Sequence, residues 1–281
     1  MDPFSVVHLV RRALAEDVGH GDLTTEAAVP PGARARGLFV ARERGVVAGL
    51  PVAELVFRCL TSDVEFRTLV PDGQEVAAGG VLAEVAGNAR ALLTGERTAL
   101  NFLQRLSGIA TLTARLAALV RPYGVRLVDT RKTTPGLRVL EKYAVRVGGG
   151  YNHRFGLYDG VLIKDNHIRL AGGVRQAVAR VRGCVPHTVK VEVEVEDLSQ
   201  VAEALEAGAD AILLDNMDPA TMAEAVRLVK GKCLVEASGG INEENIEAVA
   251  QTGVDVISVG ALTHSARALD ISMEVQGWCE A

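Results

Sequence analysis

Six apolar runs in the later part of the sequence end in residues able to do chemistry. Asp129-Thr130-Arg131-Lys132 closes the first, and Lys164-Asp165-Asn166-His167 the second. The third carries Glu192 and Glu194, the fourth ends in Asp215-Asn216, and the fifth in Glu236-Ala237-Ser238-Gly239-Gly240. The sixth ends in Gly260, with His264 shortly after it. Charge is sorted along the same stretch. From 126 to 169, nine Lys or Arg stand against four Asp or Glu, a local +5 in a chain of net charge −5. From 191 to 216 there are eight acids and no Lys or Arg. Arg131, Lys132, His153, Arg154 and Lys164 form a basic set that calls for an anion with several carboxylate or phosphate groups. Arg131 and Arg154 can each grip a carboxylate through two parallel hydrogen bonds. Glu194 and Asp215 are strand-end carboxylates that need a cation opposite them. The ends Ser238-Gly239-Gly240 and Gly260-Ala261 suit a phosphate, because backbone N–H groups approach an anion closely only where side chains are small. Arg138, Lys142 and Arg146, at i, i+4 spacing, read as a solvated helix face. His167 keeps two readings, site residue or loop organiser.

These residues need a frame that brings them together. Strand-like runs at 125–130, 160–164, 189–194, 210–215, 232–236 and 255–259 alternate with helical patterns near 136–147, 170–182, 197–207, 218–230 and 242–251. Alternating βα units predict a parallel sheet with helices outside. Barrel enzymes place their chemistry at the C-terminal ends of the strands, where the polar residues fall here. Six units rather than eight point to an incomplete parallel α/β barrel over 111–270. A doubly wound open sheet is the structural alternative; its dinucleotide-binding form lacks a GxGxxG after the first strand. Residues 1–110 read as an α+β sandwich domain, onto which 265–281 is expected to pack back. Its pattern gives a helix at 5–16, a polar loop at 19–25, strands near 35–40 and 45–48, and a helix at 51–60. A strand at 64–70, a Pro71-Asp72-Gly73 turn and a strand at 81–85 follow, with 70–85 read as a β-hairpin. Residues 90–119 read as one or two connecting helices, broken near Ser107-Gly108.

Composition bounds the function classes. The chain has 281 residues, 48% apolar and 23% charged, an ordinary globular balance. Its net negative charge argues against a general nucleic-acid binder. No apolar run approaches the ~18 residues of a membrane span, and the N-terminus lacks the pattern of a secretory signal. Cys59, Cys184, Cys233 and Cys279 are dispersed, with no CxxC pair, which argues against a thiolate zinc site or a disulfide framework. A reduced, cytoplasmic setting is expected.

The motifs resemble one family along nearly the whole chain, from about Glu16 to Asp270. Glu96-Arg97-Thr98-Ala99-Leu100-Asn101 with Leu106-Ser107-Gly108-Ile109-Ala110-Thr111 is similar to the central helix of quinolinate phosphoribosyltransferases. Asp129-Thr130-Arg131-Lys132-Thr133, Asn152-His153-Arg154, Leu162-Ile163-Lys164-Asp165-Asn166-His167, Glu192-Val193-Glu194-Val195, Leu213-Leu214-Asp215-Asn216 and Ser238-Gly239-Gly240 follow in the same order. The resemblance implies transfer of phosphoribosyl from phosphoribosyl pyrophosphate to quinolinate with loss of carbon dioxide, giving nicotinate mononucleotide in NAD synthesis. It implies a sandwich domain followed by an incomplete barrel, and a homodimer in which Arg97 reaches the neighbouring site. By resemblance Arg97, Arg131, Lys132, His153, Arg154 and Lys164 hold quinolinate, Ser238, Gly239, Gly240 and Gly260 cradle the 5-phosphate of the donor, and His264 belongs to the substrate-binding set. Lys132, Lys164, Glu194 and Asp215 are the implied catalytic set. Glu194 and Asp215 would face Mg²⁺, directly or through water, and the ribose hydroxyls. No single general base is expected.

Three other readings compete. The family's molybdenum-associated relative shares much of the fold and several motifs. An aldolase-type barrel would use Lys164 as a Schiff-base nucleophile. The segment 70–85 looks like half of a lipoyl or biotin carrier, but the chain has no lysine before Lys132 to carry the group.

Overall fold

The computed structural model describes residues 3–279. In chain order the elements are α1 (Pro3–Val18), α2 (Leu23–Ala28), β1 (Arg34–Ala41), β2 (Gly45–Val46), α3 (Leu50–Leu60), β3 (Val64–Thr68), β4 (Glu75–Val76), β5 (Val81–Asn88) and α4 (Ala89–Val120). Then come β6 (Arg126–Val128), α5 (Arg138–Val147), β7 (Val161–Ile163), α6 (Asp165–Ala171), α7 (Val174–Arg182), β8 (Val191–Val195), α8 (Leu198–Glu206) and β9 (Ala211–Asp215). The last are α9 (Pro219–Val229), β10 (Leu234–Ser238), α10 (Ile246–Ala250), β11 (Val256–Ser258), α11 (Ala261–His264) and β12 (Ile271–Cys279). No helix among the described residues is long and apolar enough to cross a membrane.

The contacts divide the chain into two compact units. The first takes the described residues up to Ala114, Thr134–Gly149, and the described residues from Ser265; the second takes Arg115–Thr133 and Gly150–His264. The linear division at 110/111 therefore differs at one point of substance: α5 belongs to the first unit. Its side chains explain why. Tyr143 donates its hydroxyl to Asp72 at 2.7 Å, and the fully buried Glu141 accepts from Arg105 at 2.8 Å.

In the first unit β12, β1, β5 and β3 form an antiparallel sheet in that order. The chain end thus pairs along β1, with Leu38 opposite Glu274 and Ala41 opposite Ile271. Phe39, Phe57 and Phe66 pack their rings 5.9–6.4 Å apart between this sheet and α3. Three local expectations fail. The 70–85 segment is not a hairpin: β4 pairs with β2, while β5 pairs with β1 and β3. Asp72 fixes this arrangement by accepting from the N–H groups of Gly49 and Leu50, which open α3. The loop at 19–25 gives way to α2, because Asp22 caps it by accepting from Thr25 N–H at 3.0 Å. Residues 89–120 are one unbroken helix. Ser107 and Gly108 serve packing there. Ser107 exchanges hydrogen bonds with the Ala48 backbone. A Cβ on Gly108 would fall against the Arg267 carbonyl and 3.0 Å from Ala268 Cα. The solvated-face reading of α5 also fails at Lys142, which is buried.

In the second unit six parallel strands lie in the order β6, β11, β10, β9, β8, β7. Sequential βα units wind in one direction, and β6 closes onto β11 while β7 ends the sheet. Tyr151 bridges to Val128 on the other side of β6. This is the incomplete α/β barrel. The helical pattern at 170–182 resolves into α6 and α7, parted at Gly172-Gly173, both at positive φ. Gly208 and Gly253 end α8 and the turn after α10 at φ +80° and +88°, a conformation glycine takes without cost.

Candidate active site

A cavity of about 540 Å³ opens at the C-terminal ends of the barrel strands. Its walls include Arg131 and Lys132 after β6, His153 and Arg154, Lys164 after β7, Glu194, Asp215, and Ser238-Gly239-Gly240. Ten of the thirteen expected site residues therefore meet at one place in the second unit. Gly260 and His264 stand just beside it. A Cβ on Gly260 would lie 3.0 Å from Lys132 Cδ and 3.2 Å from His264 Nε2, so glycine here lets the lysine stem and the imidazole close in. Thr263 donates to the Lys132 carbonyl at 2.7 Å and fastens the same corner. Arg97 is exposed on α4 in the first unit and is not a wall residue.

Each basic side chain is set by its backbone. Asp129 is fully buried at the end of β6. It accepts from Asn152 Nδ2 at 2.5 Å and from His153 N–H at 2.9 Å, which pins the 150–154 segment over the sheet. Arg154 donates Nη1 to the Gly160 carbonyl at 3.0 Å, while its buried Nε meets no acceptor. Burial first, then the neighbouring Arg131 charge, pulls Arg154 below the usual guanidinium range, opposed by Glu192, Asp159 and Glu194. Two guanidiniums that repel each other across a cavity are stabilised by an anion placed between them. Lys164 Nζ donates to Glu194 Oε2 at 2.5 Å. Lys164 is partly exposed and ion-paired, so it lacks the desolvated setting of a Schiff-base lysine. His167 accepts the Lys164 N–H at Nδ1, 2.9 Å away, and does not line this cavity. It organises the start of α6.

The glycine-bearing end of β10 is tied to β9. Asn216 sits at φ +53° and donates its N–H to the Ser238 carbonyl at 2.9 Å. Gly239 at φ +95° lies so close that a Cβ would come within 2.5 Å of Asn216 Cγ. Exposed backbone N–H groups at such a turn form a small anion-binding concavity.

Glu192 and Glu236 stand among the polar strand residues of the sequence without a role and Ser258 is not singled out there, yet all three lie at this site. His153 Nε2 is 3.0 Å from Glu192 Oε2 and 3.7 Å from Glu236 Oε2. The strand period of two carries the missed signal: Glu192 shares the face of Glu194, and Glu236 that of Ser238. Burial, then the Glu192 charge, pushes Glu236 up to about 7; His153 and the Ser258 hydroxyl oppose. One imidazole and two carboxylates are also a donor set for a metal. His153 Nδ1, however, accepts from the Arg154 N–H at 2.7 Å, so the ring proton of a neutral imidazole is on Nε2, where a metal would bind.

Models of the two domains of quinolinate phosphoribosyltransferase match residues 22–107 and 109–274. The chain belongs to this family. A Bacillus subtilis (strain 168) protein named "Probable nicotinate-nucleotide pyrophosphorylase (carboxylating)" is 45% identical over 275 residues, 98% of this chain and 95% of that one. The chloroplastic nicotinate-nucleotide pyrophosphorylase (carboxylating) of Arabidopsis thaliana is 42% identical over 286 residues, 95% of this chain and 82% of that one. The solved nicotinate-nucleotide pyrophosphorylase of Francisella tularensis superposes with a TM-score of 0.94 at 43% identity, covering 98% of each chain. The residues that line the cavity all fall within the stretch matched by the C-terminal domain model.

Proposed function

We propose that this protein transfers phosphoribosyl from phosphoribosyl pyrophosphate to quinolinate and removes one carboxylate as carbon dioxide, yielding nicotinate mononucleotide and pyrophosphate. The carrying observation is the wall of Arg131, Lys132, Arg154 and Lys164 facing Ser238-Gly239-Gly240 across one cavity. Two adjacent carboxylates on a small ring need several cations within a few ångströms, and a phosphate needs a glycine-lined turn.

The residues then act mainly by holding and by charge. Arg131, Arg154 and Lys164 hold the two carboxylates, and the partner chain's copy of Arg97 completes the set in a homodimer. Arg97 suits that part because it is exposed on α4. Lys132, Ser238, Gly239, Gly240, Gly260 and His264 take the phosphates. Glu194 and Asp215 face the ribose, where a positive charge develops as pyrophosphate leaves. Both are oxygen donors, which fits the water shell of Mg²⁺, and one Glu194 oxygen already holds Lys164. Mg²⁺ held with the donor near Glu194 and Asp215 would neutralise charge on the leaving pyrophosphate. The ring nitrogen attacks the anomeric carbon as the bond to pyrophosphate breaks. The nitrogen is then cationic. It draws the electron pair left on the adjacent carbon when carbon dioxide departs, and that carbon takes a proton. We place the reaction in the cytoplasm, where dispersed cysteines stay reduced.

Equilibrium binding tests the reading. Quinolinate should bind at least tenfold tighter than nicotinate, which has one carboxylate, and Arg154→Ala should remove that preference. Equal binding of the two acids would overturn it.

A further inference from the structure

The cavity floor carries more acid than the proposed reaction uses. Glu192 and Glu236 lie side by side beneath His153, their side chains only 12% and 6% exposed. Two buried carboxylates in contact cannot both stay ionised without a cation between them. His153 cannot be that cation while Nδ1 accepts from the Arg154 N–H, since an imidazolium needs hydrogens on both nitrogens. A metal is excluded at Nε2 on the same ground. Glu236 Oε1, moreover, is buried with no hydrogen-bond partner, a position tolerable for a neutral acid and costly for a carboxylate.

The geometry points to one arrangement, and we infer that Glu236 is held as a neutral carboxylic acid that donates to Glu192, the pair accepting the Nε2–H of His153. Glu236 is thereby a positioning residue: it fixes the imidazole at the cavity wall as a neutral ring. The inference rests on the proposed function and extends it by placing a protonated acid beneath the wall that holds the quinolinate carboxylates.

A consequence follows for pH. The groups facing Glu236 are Glu192 from β8, His153 from the 150–154 segment and the Ser258 hydroxyl from β11, while Leu213, in register on β9, is apolar. When Glu236 loses its proton, a second negative charge appears under the carboxylate-binding wall. Burial and the Glu192 carboxylate push Glu236 up to about 7 even against a positive charge on His153, so with the ring neutral that loss comes at or above neutrality. A unit charge a few ångströms from a bound dianion, partly screened, weakens its binding by about tenfold. Quinolinate keeps both carboxylates ionised throughout this range, so the effect belongs to the protein.

The test has two arms on the intact chain. The first is infrared difference spectroscopy of wild type and Glu236→Gln at pH 6, with ¹³C-labelled glutamate. A neutral carboxyl C=O band that disappears in the variant is expected; no such band in wild type overturns the inference, whatever the variant's folding. The second is the quinolinate dissociation constant from pH 6 to 8.5. In wild type it should rise about tenfold, in Glu236→Gln it should stay flat, and in Glu236→Ala it should be raised at every pH because the ring loses its anchor. A wild-type profile that stays flat, or a Glu236→Gln profile that still rises, overturns the pH role. If quinolinate fails to bind at any pH, the substrate assignment fails, and the infrared arm still decides the protonation of Glu236.

Discussion

Gly239→Ala is the sharpest perturbation of the proposed phosphate cradle. The residue sits at φ +95°, where an L side chain costs about 1–2 kcal/mol. The new Cβ would lie within 2.5 Å of Asn216 Cγ and 2.9 Å of Asn216 N. The side chain can turn aside, but the backbone nitrogen moves only by giving up its bond to the Ser238 carbonyl, another ~1 kcal/mol. The strain totals roughly 2–3 kcal/mol, placed on the turn proposed to hold the phosphate. Spent wholly on donor binding, that is about a 30- to 150-fold rise in the KM for phosphoribosyl pyrophosphate. Quinolinate binding, assigned to Arg131, Arg154 and Lys164, should change by less than threefold. Steady-state kinetics with each substrate varied, on protein shown by circular dichroism to be folded, measures both. A donor KM within threefold of wild type would refute the cradle.

Three further outcomes follow from the same contacts. Glu236 titrates near 7 in the folded chain and near 4.5 when unfolded, so the native state holds the extra proton between those values and stability falls as pH rises through them. Urea unfolding at pH 5 and pH 8 should show wild type losing up to about 3 kcal/mol more than Glu236→Gln; equal losses would contradict the buried acid. Gly108→Ala improves helix propensity by about 1 kcal/mol, yet its Cβ meets the Arg267 backbone, which cannot step aside. Calorimetry should therefore show a net destabilisation of roughly 1–3 kcal/mol, and a stabilised variant would disprove the packing argument. Arg97→Ala and Lys164→Ala chains, each inactive alone, should regain activity after subunit exchange; none regained after verified exchange counts against a shared site.

The barrel site was legible for a physical reason. Parallel strands must be apolar where they are buried, so Arg131, Lys164, Asp215 and Ser238 stood out at their ends, and one architecture brings those ends together. Side-chain neighbours across strands were harder. Glu192 on β8 and Glu236 on β10 come together at His153 across the intervening β9, which no spacing along the chain encodes. Gly108 looked like a helix break because its reason, the Arg267 carbonyl, lies 159 positions away in the chain. The hairpin expected at 70–85 failed similarly: the pattern gave strands, while Asp72 chose the partner by capping α3. The pairing of β12 with β1 was foreseen only as a tendency of the chain end to return.

The most direct measurement is product formation from purified protein with quinolinate, phosphoribosyl pyrophosphate and Mg²⁺, with nicotinate as the parallel substrate. Equal amounts of nicotinate mononucleotide and carbon dioxide from quinolinate, and little nucleotide from nicotinate, are predicted. Folded, dimeric protein that forms no nucleotide from quinolinate would contradict the assignment.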